Sequence, residues 1–487
     1  MIRIQHLFIT CVVLLVCFAS AVAQETPNFI LIMTDDQGYG DLGSYGSPHI
    51  RTPRIDRMAA EGIRFTDFYA QPFCGPSRAA LMTGSYPPRN SLMFNHVPRA
   101  KTGIHADEVT IGELLQQAGY ATAMFGKWHL GDAQEFLPVN NGFDQYLGLL
   151  YSNDMWPYHP KVKRTPHDGP VKREIRRRAE YTGYQGQGQI YPLDWFPDLP
   201  LVRNLDVIEL NPDQTQLTRR YTEGALEFIE SNRDRPFFLY LAHSMPHVPL
   251  FRSKEFVGVS QRGLYGDVIE ELDASTGRIL DKLQELGLDD NTLVVFTSDN
   301  GPWLHYGIDA GSAGPLRDGK GTVWEGGLRV PAIMRWPGKI PAGQVTSEIA
   351  SNIDILPTFA ALAGAELPSE HVIDGKDLWP LISVRDGKSP RKTFLYYEGQ
   401  IFYRAEDGAP VNEPILRGIR EGNWKLFLES PEEDVDGPAL YDLYADVGEV
   451  HNVADKHSDV VERLANLAHS SDRAIMSQVR PLGRVSE

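Results

Sequence analysis

Cys74 stands in the run Phe73-Cys74-Gly75-Pro76-Ser77-Arg78, which sets a thiol, a hydroxyl and a fixed cation close together around a turn-forming Gly-Pro. The other cysteines, Cys11 and Cys17, lie in an N-terminal apolar segment, so removal of that segment leaves Cys74 alone. A thiol with no partner in its own chain is buried, bridged to another chain or used in chemistry. Its polar neighbours favour use. Asp35-Asp36 and Asp299-Asn300 are two hard-oxygen pairs, each following an apolar run. Three carboxylates and an amide carbonyl suit Ca²⁺ or Mg²⁺ better than a soft metal. Without a cation, bunched carboxylates repel one another and raise a pKa. Either pair alone reads as a turn or cap; both together, beside a reactive cysteine, favour metal.

Three more segments add cations and imidazoles. Gly126-Lys127-Trp128-His129-Leu130-Gly131 offers Lys127 and His129 in a glycine-bounded loop. His243-Ser244-Met245-Pro246-His247 adds two rings, and Arg317-Asp318-Gly319-Lys320-Gly321 a second lysine. A loop cation stabilises developing negative charge, and histidine transfers protons near neutral pH. Singly these are ordinary surface residues; converging on a metal-bearing rim, they describe a site for a tetrahedral oxyanion ester.

The elements that must position them are short apolar runs ending in these polar clusters. Asn28–Met33 leads to Asp35, Ala121–Phe125 to Lys127, Phe237–Leu241 to His243, and Leu293–Phe296 to Asp299. Continuous apolar runs predict strands buried on both faces, as in a mostly parallel sheet. Helical patterns near Arg54–Ala60, Val109–Ala118, Gln214–Glu230 and Asp267–Leu286 alternate with them, which is the α/β signature. In such sheets ligands gather beyond the carboxyl ends of the strands. Residues 151–210 read as a long insertion rich in Tyr, Trp, Pro, Gly and basic residues. Beyond about Gly375, Phe394–Tyr397, Leu416–Arg420 and Trp424–Leu428 predict antiparallel strands, with a terminal helix over Ser458–Ser471.

The 487 residues exceed one ordinary compact domain, and a hydrophobic content of 42% allows a sizeable core. The division expected is a leader over 1–23, a catalytic domain over 24–375 with 151–210 as a substrate-facing insertion, and a smaller domain over 376–487. Arg3, the apolar Leu7–Phe18 and the small-residue run Ala21-Val22-Ala23 have the order of a signal peptide. That apolar run falls short of the ~20 residues a spanning helix needs. The expectation is an exported protein, periplasmic or secreted, with no stable membrane insertion. A formal net charge of -17 disfavours general nucleic-acid binding.

Cys74-Gly75-Pro76-Ser77-Arg78, continued by Ala79–Gly84, resembles the sulfatase signature, Cys-x-Pro-Ser-Arg with a following Thr-Gly. Asn28–Gly38, Gly126–Gly131, Pro246–Pro249, Ser298–Gly301 and Gly319–Gly327 also resemble sulfatase segments, in the family's order. The likeness spans about Asn28 to Ile355 and is strongest toward the arylsulfatase A and N-acetylgalactosamine-6-sulfatase branch. Pro438–Leu443 and Val447–Asn452 resemble the family's Leu-Tyr-Asp-Leu…Glu-x-x-Asn segment.

The resemblance implies an alkaline-phosphatase-like α/β fold, with a large mixed, mostly parallel sheet flanked by helices. It also implies a smaller C-terminal α+β domain carrying an antiparallel sheet. Cys74 would be oxidised to Cα-formylglycine by a formylglycine-generating maturation enzyme. One hydroxyl of the aldehyde hydrate would bind the metal and attack sulfur, and the second would expel sulfate from the sulfated hemiacetal. Position by position, Asp35, Asp36, Asp299 and Asn300 resemble the divalent-metal ligands, usually Ca²⁺, joined by the modified Cys74. Arg78 resembles the residue that orients the diol, and Lys127 and Lys320 the clamps on sulfate and bridging oxygen. His129 resembles the base for hemiacetal breakdown, and His247 the leaving-group contact or acid. His247 is preferred to His243 because Pro-His-x-Pro is the matching context.

The expected substrate is a sulfated carbohydrate or an aryl sulfate. Between Lys161 and Glu180 stand eight Lys or Arg residues and three acidic ones, and the aromatic-rich Tyr181–Trp195 follows. Such a segment could hold a polyanionic sugar chain, or be a solvated insertion. Two other functions remain open on sequence: hydrolysis of phosphodiesters or phosphonate monoesters on the same fold, and non-enzymatic glycan binding with an unmodified Cys74. The oligomeric state is not legible.

Overall fold

The computed structural model describes residues 26–157, 196–398, 414–432 and 435–485. The leader, the basic run Lys161–Glu180 and the aromatic run Tyr181–Trp195 lie outside the described residues. Among the described residues, no helix is long and apolar enough to cross a membrane.

The apolar runs form the centre of an 11-stranded sheet. Its middle is five parallel strands in the order Thr292–Ser298, Asn28–Thr34, Phe237–Ala242, Ala121–Gly126, Gln145–Leu149. The first four are buried at every position, because helices cover both faces. One group, Pro53–Glu61, Leu217–Ser231 and Leu264–Glu285, packs together; a second comprises Cys74–Thr83, Ile111–Gln117 and Ile355–Ala363. The four expected helices are all present, with ends shifted by a few residues.

The sheet is mixed at its flanks. Arg329–Arg335 runs antiparallel to the central Thr292–Ser298 strand and to Ile63–Tyr69 on its other side. On the opposite flank, Pro200–Arg203 and Asp206–Leu210 pair as an antiparallel hairpin on Gln145–Leu149. The end of the expected insertion is therefore part of the sheet. Nearby prolines and the short strand lengths hid that pattern in the sequence.

The C-terminal segment folds as four antiparallel strands, Thr393–Tyr397, Leu416–Glu421, Trp424–Phe427 and Ala439–Asp442. The helix Ser458–Met476 packs on this sheet and runs five residues beyond the expected Ser471. Leu464, Ala468 and Ile475 form its buried stripe and join a second apolar core with Phe394, Tyr396 and Phe427. Tyr69, from the strand before Cys74, belongs to that second core as well. The two sheets are joined through the chain that leads to the thiol.

Candidate active site

Three central strands release their polar residues at the same edge. Asp35 and Asp36 follow Thr34, Lys127 follows Gly126, and Asp299 and Asn300 follow Ser298. Gly126 is required where Lys127 turns inward: a Cβ there would lie 1.7 Å from the Ala242 carbonyl oxygen. Asp36 and His129 adopt left-handed backbone, with φ of 60° and 67°. Non-glycine residues pay for that conformation in sterics, and such strain collects at functional sites.

Cys74 is the first residue of the helix Cys74–Thr83, which ends at Gly84 in the left-handed conformation. That position places its side chain at the helix's positive pole, which favours an anionic or oxygen-rich group. Ser77 does not face the reaction centre as a nucleophile would. Its hydroxyl accepts from Asn352 Nδ2 at 2.9 Å and from the Gln71 amide at 3.3 Å, anchoring the turn.

Around the thiol the charged groups close into one network. Cys74 Sγ lies 3.4 Å from Asp35 Oδ1 and 3.6 Å from Asp36 Oδ1, and Lys320 Nζ donates to it at 3.3 Å. Lys320 also pairs with Asp36 at 2.7 Å, and Lys127 with Asp35 at 2.7 Å. Arg78 donates from Nη2 to Asp299 Oδ2 at 2.8 Å and from Nη1 to the Lys127 carbonyl at 2.6 Å. Asp299 Oδ1 accepts the Asp36 amide at 3.1 Å. Asn300 Nδ2 donates to Asp36 Oδ1 at 2.7 Å, while its side-chain Oδ1 is buried without a hydrogen-bond partner among the described residues. His247 closes the group, its Nε2 3.5 Å from Asp36 Oδ2.

Burial sets the electrostatics. It would raise Asp35 and Asp36, yet Lys127 holds the first and Lys320 the second below the ordinary range, with His247 acting on both. Burial would likewise lower Lys320, but the neighbouring carboxylate of Asp36 and the Cys74 sulfur raise it well above its usual value. The unmodified Cys74 thiol is pushed well up by burial and by Asp299. As a thiol it is a poor nucleophile here.

The histidines divide. His129 is fully buried, and burial together with Lys127 and Arg78 keeps its pKa well below the usual value. Its Nε2 lies 3.1 Å from the His96 carbonyl oxygen, which only accepts, so Nε2 carries the proton. Nδ1 is then a lone pair, and it has no hydrogen-bond partner among the described residues. His243 instead sets Nε2 against Ser275 Oγ at 3.3 Å, and burial lowers its pKa to about 3.

Two residues join the site that sequence reasoning passed over. Ser152 Oγ accepts from Lys127 Nζ at 2.7 Å; it follows the strand Gln145–Leu149, whose position beside Ala121–Gly126 gives it the same rule of strand ends. Trp303 lies under Lys320, 4.5 Å from ring centre to Nζ, and 5.6 Å from the His247 ring. It stands just beyond Asn300, after Gly301 and Pro302, and that nearness was its only signal.

A divalent cation fits this arrangement. Ligand atoms of Asp35, Asp36, Cys74 and His247 lie within 4.8 Å of one another, and the unpaired Asn300 oxygen supplies a hard donor.

Fold and site together define a hydrolase of alkaline-phosphatase-like architecture. Residues 27–365 match the family model described as Sulfatase, and residues 318–472 match the one described as N-sulphoglucosamine sulphohydrolase, C-terminal. The chain is 39% identical to arylsulfatase A of Homo sapiens, across 93% of this chain and 89% of that protein. It is 37% identical to N-acetylgalactosamine-6-sulfatase of Rattus norvegicus, across 94% and 87%. The solved structure of Ps i-CgsB in complex with k-i-k-neocarrahexaose superposes with a TM-score of 0.75 at 31% identity, covering 92% of this chain and 93% of that one. The chain belongs to the sulfatase family and is a sulfuric ester hydrolase.

Proposed function

We propose that the protein is an exported sulfatase that cleaves sulfate monoesters of carbohydrate to alcohol and inorganic sulfate, using Cα-formylglycine at position 74 and a divalent cation, Ca²⁺ or Mg²⁺. The observation that carries this reading is the convergence on Cys74 of Asp35, Asp36, Lys320 and, through them, Lys127, Arg78 and Asp299. Carbohydrate is favoured by the relative solved with a neocarrahexaose and by the N-acetylgalactosamine-6-sulfatase likeness.

Asp35, Asp36, Asp299 and Asn300 would hold the cation, with the modified Cys74 beside them. When bound, the cation lowers the pKa of a hydroxyl and neutralises sulfate oxygens. Oxidation of Cys74 by a maturation enzyme, followed by hydration, provides two hydroxyls, one for attack on sulfur and one for release of sulfate. An ordinary serine ester lacks the second.

The chain's own groups then have defined tasks. Arg78, fixed by Asp299 and the Lys127 carbonyl, orients the side chain at position 74. Lys127 and Lys320, paired with Asp35 and Asp36, place their ammonium groups beside position 74, where they would clamp sulfate oxygens. His129 accepts at Nδ1 the proton whose loss releases sulfate. His247, with Nδ1 bonded to the Val248 carbonyl at 2.7 Å, presents Nε2 to the leaving oxygen.

Peptide mass spectrometry at position 74, with aryl sulfate and aryl phosphodiester turnover measured on the same preparation, tests the reading. Sulfate turnover is expected to scale with the fraction of Cys74 converted to aldehyde. Full-rate sulfate hydrolysis by protein with a fully alkylatable Cys74, or preference for the phosphodiester, overturns it.

A further inference from the structure

Outside the catalytic centre, a group of buried charges lies where the two sheets meet. Its middle is Glu325, the first residue of the short turn Glu325–Leu328. Glu325 accepts from Tyr69 Oη at 2.6 Å, from Tyr396 Oη at 2.7 Å and from Lys425 Nζ at 3.1 Å. Lys425, on the C-terminal strand Trp424–Phe427, also pairs with Glu449 at 2.6 Å and donates to the Val323 carbonyl at 2.9 Å. Glu449 in turn accepts the Glu325 backbone amide at 2.7 Å. All three side chains are fully buried.

This triad lies under the segment that carries Lys320. Residues 317–327 fold back on themselves, the Gly326 amide donating to the Arg317 carbonyl at 2.8 Å and the Gly327 amide to the Trp324 carbonyl at 2.9 Å. The same turn abuts the metal-side loop: the Gly301 amide donates to Gly327 at 3.0 Å, and a Cβ on Gly301 would meet the Gly326 carbonyl oxygen at 1.8 Å. One face of Glu325 therefore holds the loop that positions Lys320 and borders Asn300; the other is held by the C-terminal sheet. Tyr69 adds a third connection, to the strand that leads to Cys74.

We propose that Lys425 and Glu449 are positioning residues for Lys320, acting through Glu325, so that the C-terminal sheet completes the catalytic site. The assignment rests on the sulfatase reading for what Lys320 does, but the positioning itself does not. Neither residue touches the reacting atoms. Their effect is to fix backbone whose side chain does, and a displacement of about 1 Å in such a group can cost up to about a hundredfold in rate.

A double-mutant cycle with hydrogen exchange tests this. Lys425→Met is expected to lower kcat/KM between about tenfold and a hundredfold, and by less than about twofold when introduced into Lys320→Ala, since coupled residues are not additive. Glu449→Gln, which keeps its volume and an acceptor for the Glu325 amide, serves as the second variant if Lys425→Met does not fold. In either variant, amides of 317–327 exchange faster while those of Asn28–Thr34 keep wild-type protection. Equal fold-losses in both backgrounds, or unchanged exchange over 317–327, overturns the assignment. If converted wild-type enzyme does not cleave aryl sulfate, the functional reading fails and the exchange measurement still decides the positioning.

Discussion

Two buried clusters in this molecule each set three carboxylates against three fixed cations, and they do opposite things. At the strand ends, Asp35, Asp36 and Asp299 face Arg78, Lys127 and Lys320. Between the sheets, Asp67, Glu325 and Glu449 face Arg329, Arg420 and Lys425. Burial and the number of ionisable groups do not distinguish them. Saturation does. Both oxygens of Glu325 are occupied by phenols and cations, and Lys425, Arg329 and Arg420 hold it at about 2 against burial. At the strand ends, Asn300 Oδ1 and His129 Nδ1 remain unpaired although buried. A divalent cation added there leaves two surplus positive charges, which suits an anionic ester; in the interface cluster the one oxygen without a hydrogen bond among the described residues, Glu449 Oε1, is taken by the Lys425 ammonium at 2.6 Å.

The comparison breaks most decisively at Cys74. Cys74→Ala should reduce sulfate turnover by at least about a thousandfold, as loss of a nucleophile does, while Tm moves little. Chelation should give a comparable loss, reversed by Ca²⁺ or Mg²⁺. Metal-independent turnover in rigorously chelated protein would place the two clusters in the same class and sink the distinction. Next in size is Glu325→Gln. Removing one partner of a buried charge cluster costs about 3–5 kcal/mol, measurable by urea unfolding. Asn300→Ala should show the reverse balance, less than about 1 kcal/mol in stability but at least about tenfold in cation affinity. Equal stability losses at Glu325 and Asn300 would remove the contrast.

The catalytic cluster was legible because its residues sit at the ends of apolar runs, and a run of the type Phe29–Met33 identifies both a strand and where it stops. Asp35, Lys127 and Asp299 are each fixed by local sequence plus one rule about parallel sheets, and Cys74 by the run of residues around it. Ser152 was within reach of the same rule, but Gln145–Leu149 is short and carries Gln145 and Gly148, so its strand character is weak. The interface residues were not legible as a cluster. Glu325, Lys425 and Glu449 are far apart in the chain, and each looks like an ordinary surface charge until the C-terminal sheet is packed against the Lys320 loop. A charge buried by tertiary contact leaves no periodic trace. For the same reason, the hairpin Pro200–Leu210 reads as insertion until the edge strand it joins is known.

The smallest expected effect separates the two carboxylates of the interface. Glu449 is pushed up to about 7 by burial, against the pull of Lys425 and with added repulsion from Glu325. The charged groups facing it are Lys425 from the neighbouring strand and Glu325 from the turn, while Arg317 donates to its backbone carbonyl. An ordinary glutamate titrates near about 4.3, so the folded protein holds this proton more tightly than the unfolded chain. The stability it contributes is complete below about 4.3 and is lost as pH rises through about 7. Glu449→Gln is neutral throughout and lacks that dependence. Relative to the variant, the wild-type Tm should therefore fall between about pH 5 and about pH 8, by about 1 °C for each kcal/mol lost in a chain of this size. Glu271 and Asp273, also raised to about 7, titrate alike in both proteins and cancel from the difference. A difference that is flat across this range would mean that Glu449 is already ionised beside Lys425. The interface would then hold three full ion pairs and differ from the catalytic cluster only in lacking that cluster's unpaired Asn300 Oδ1 and His129 Nδ1.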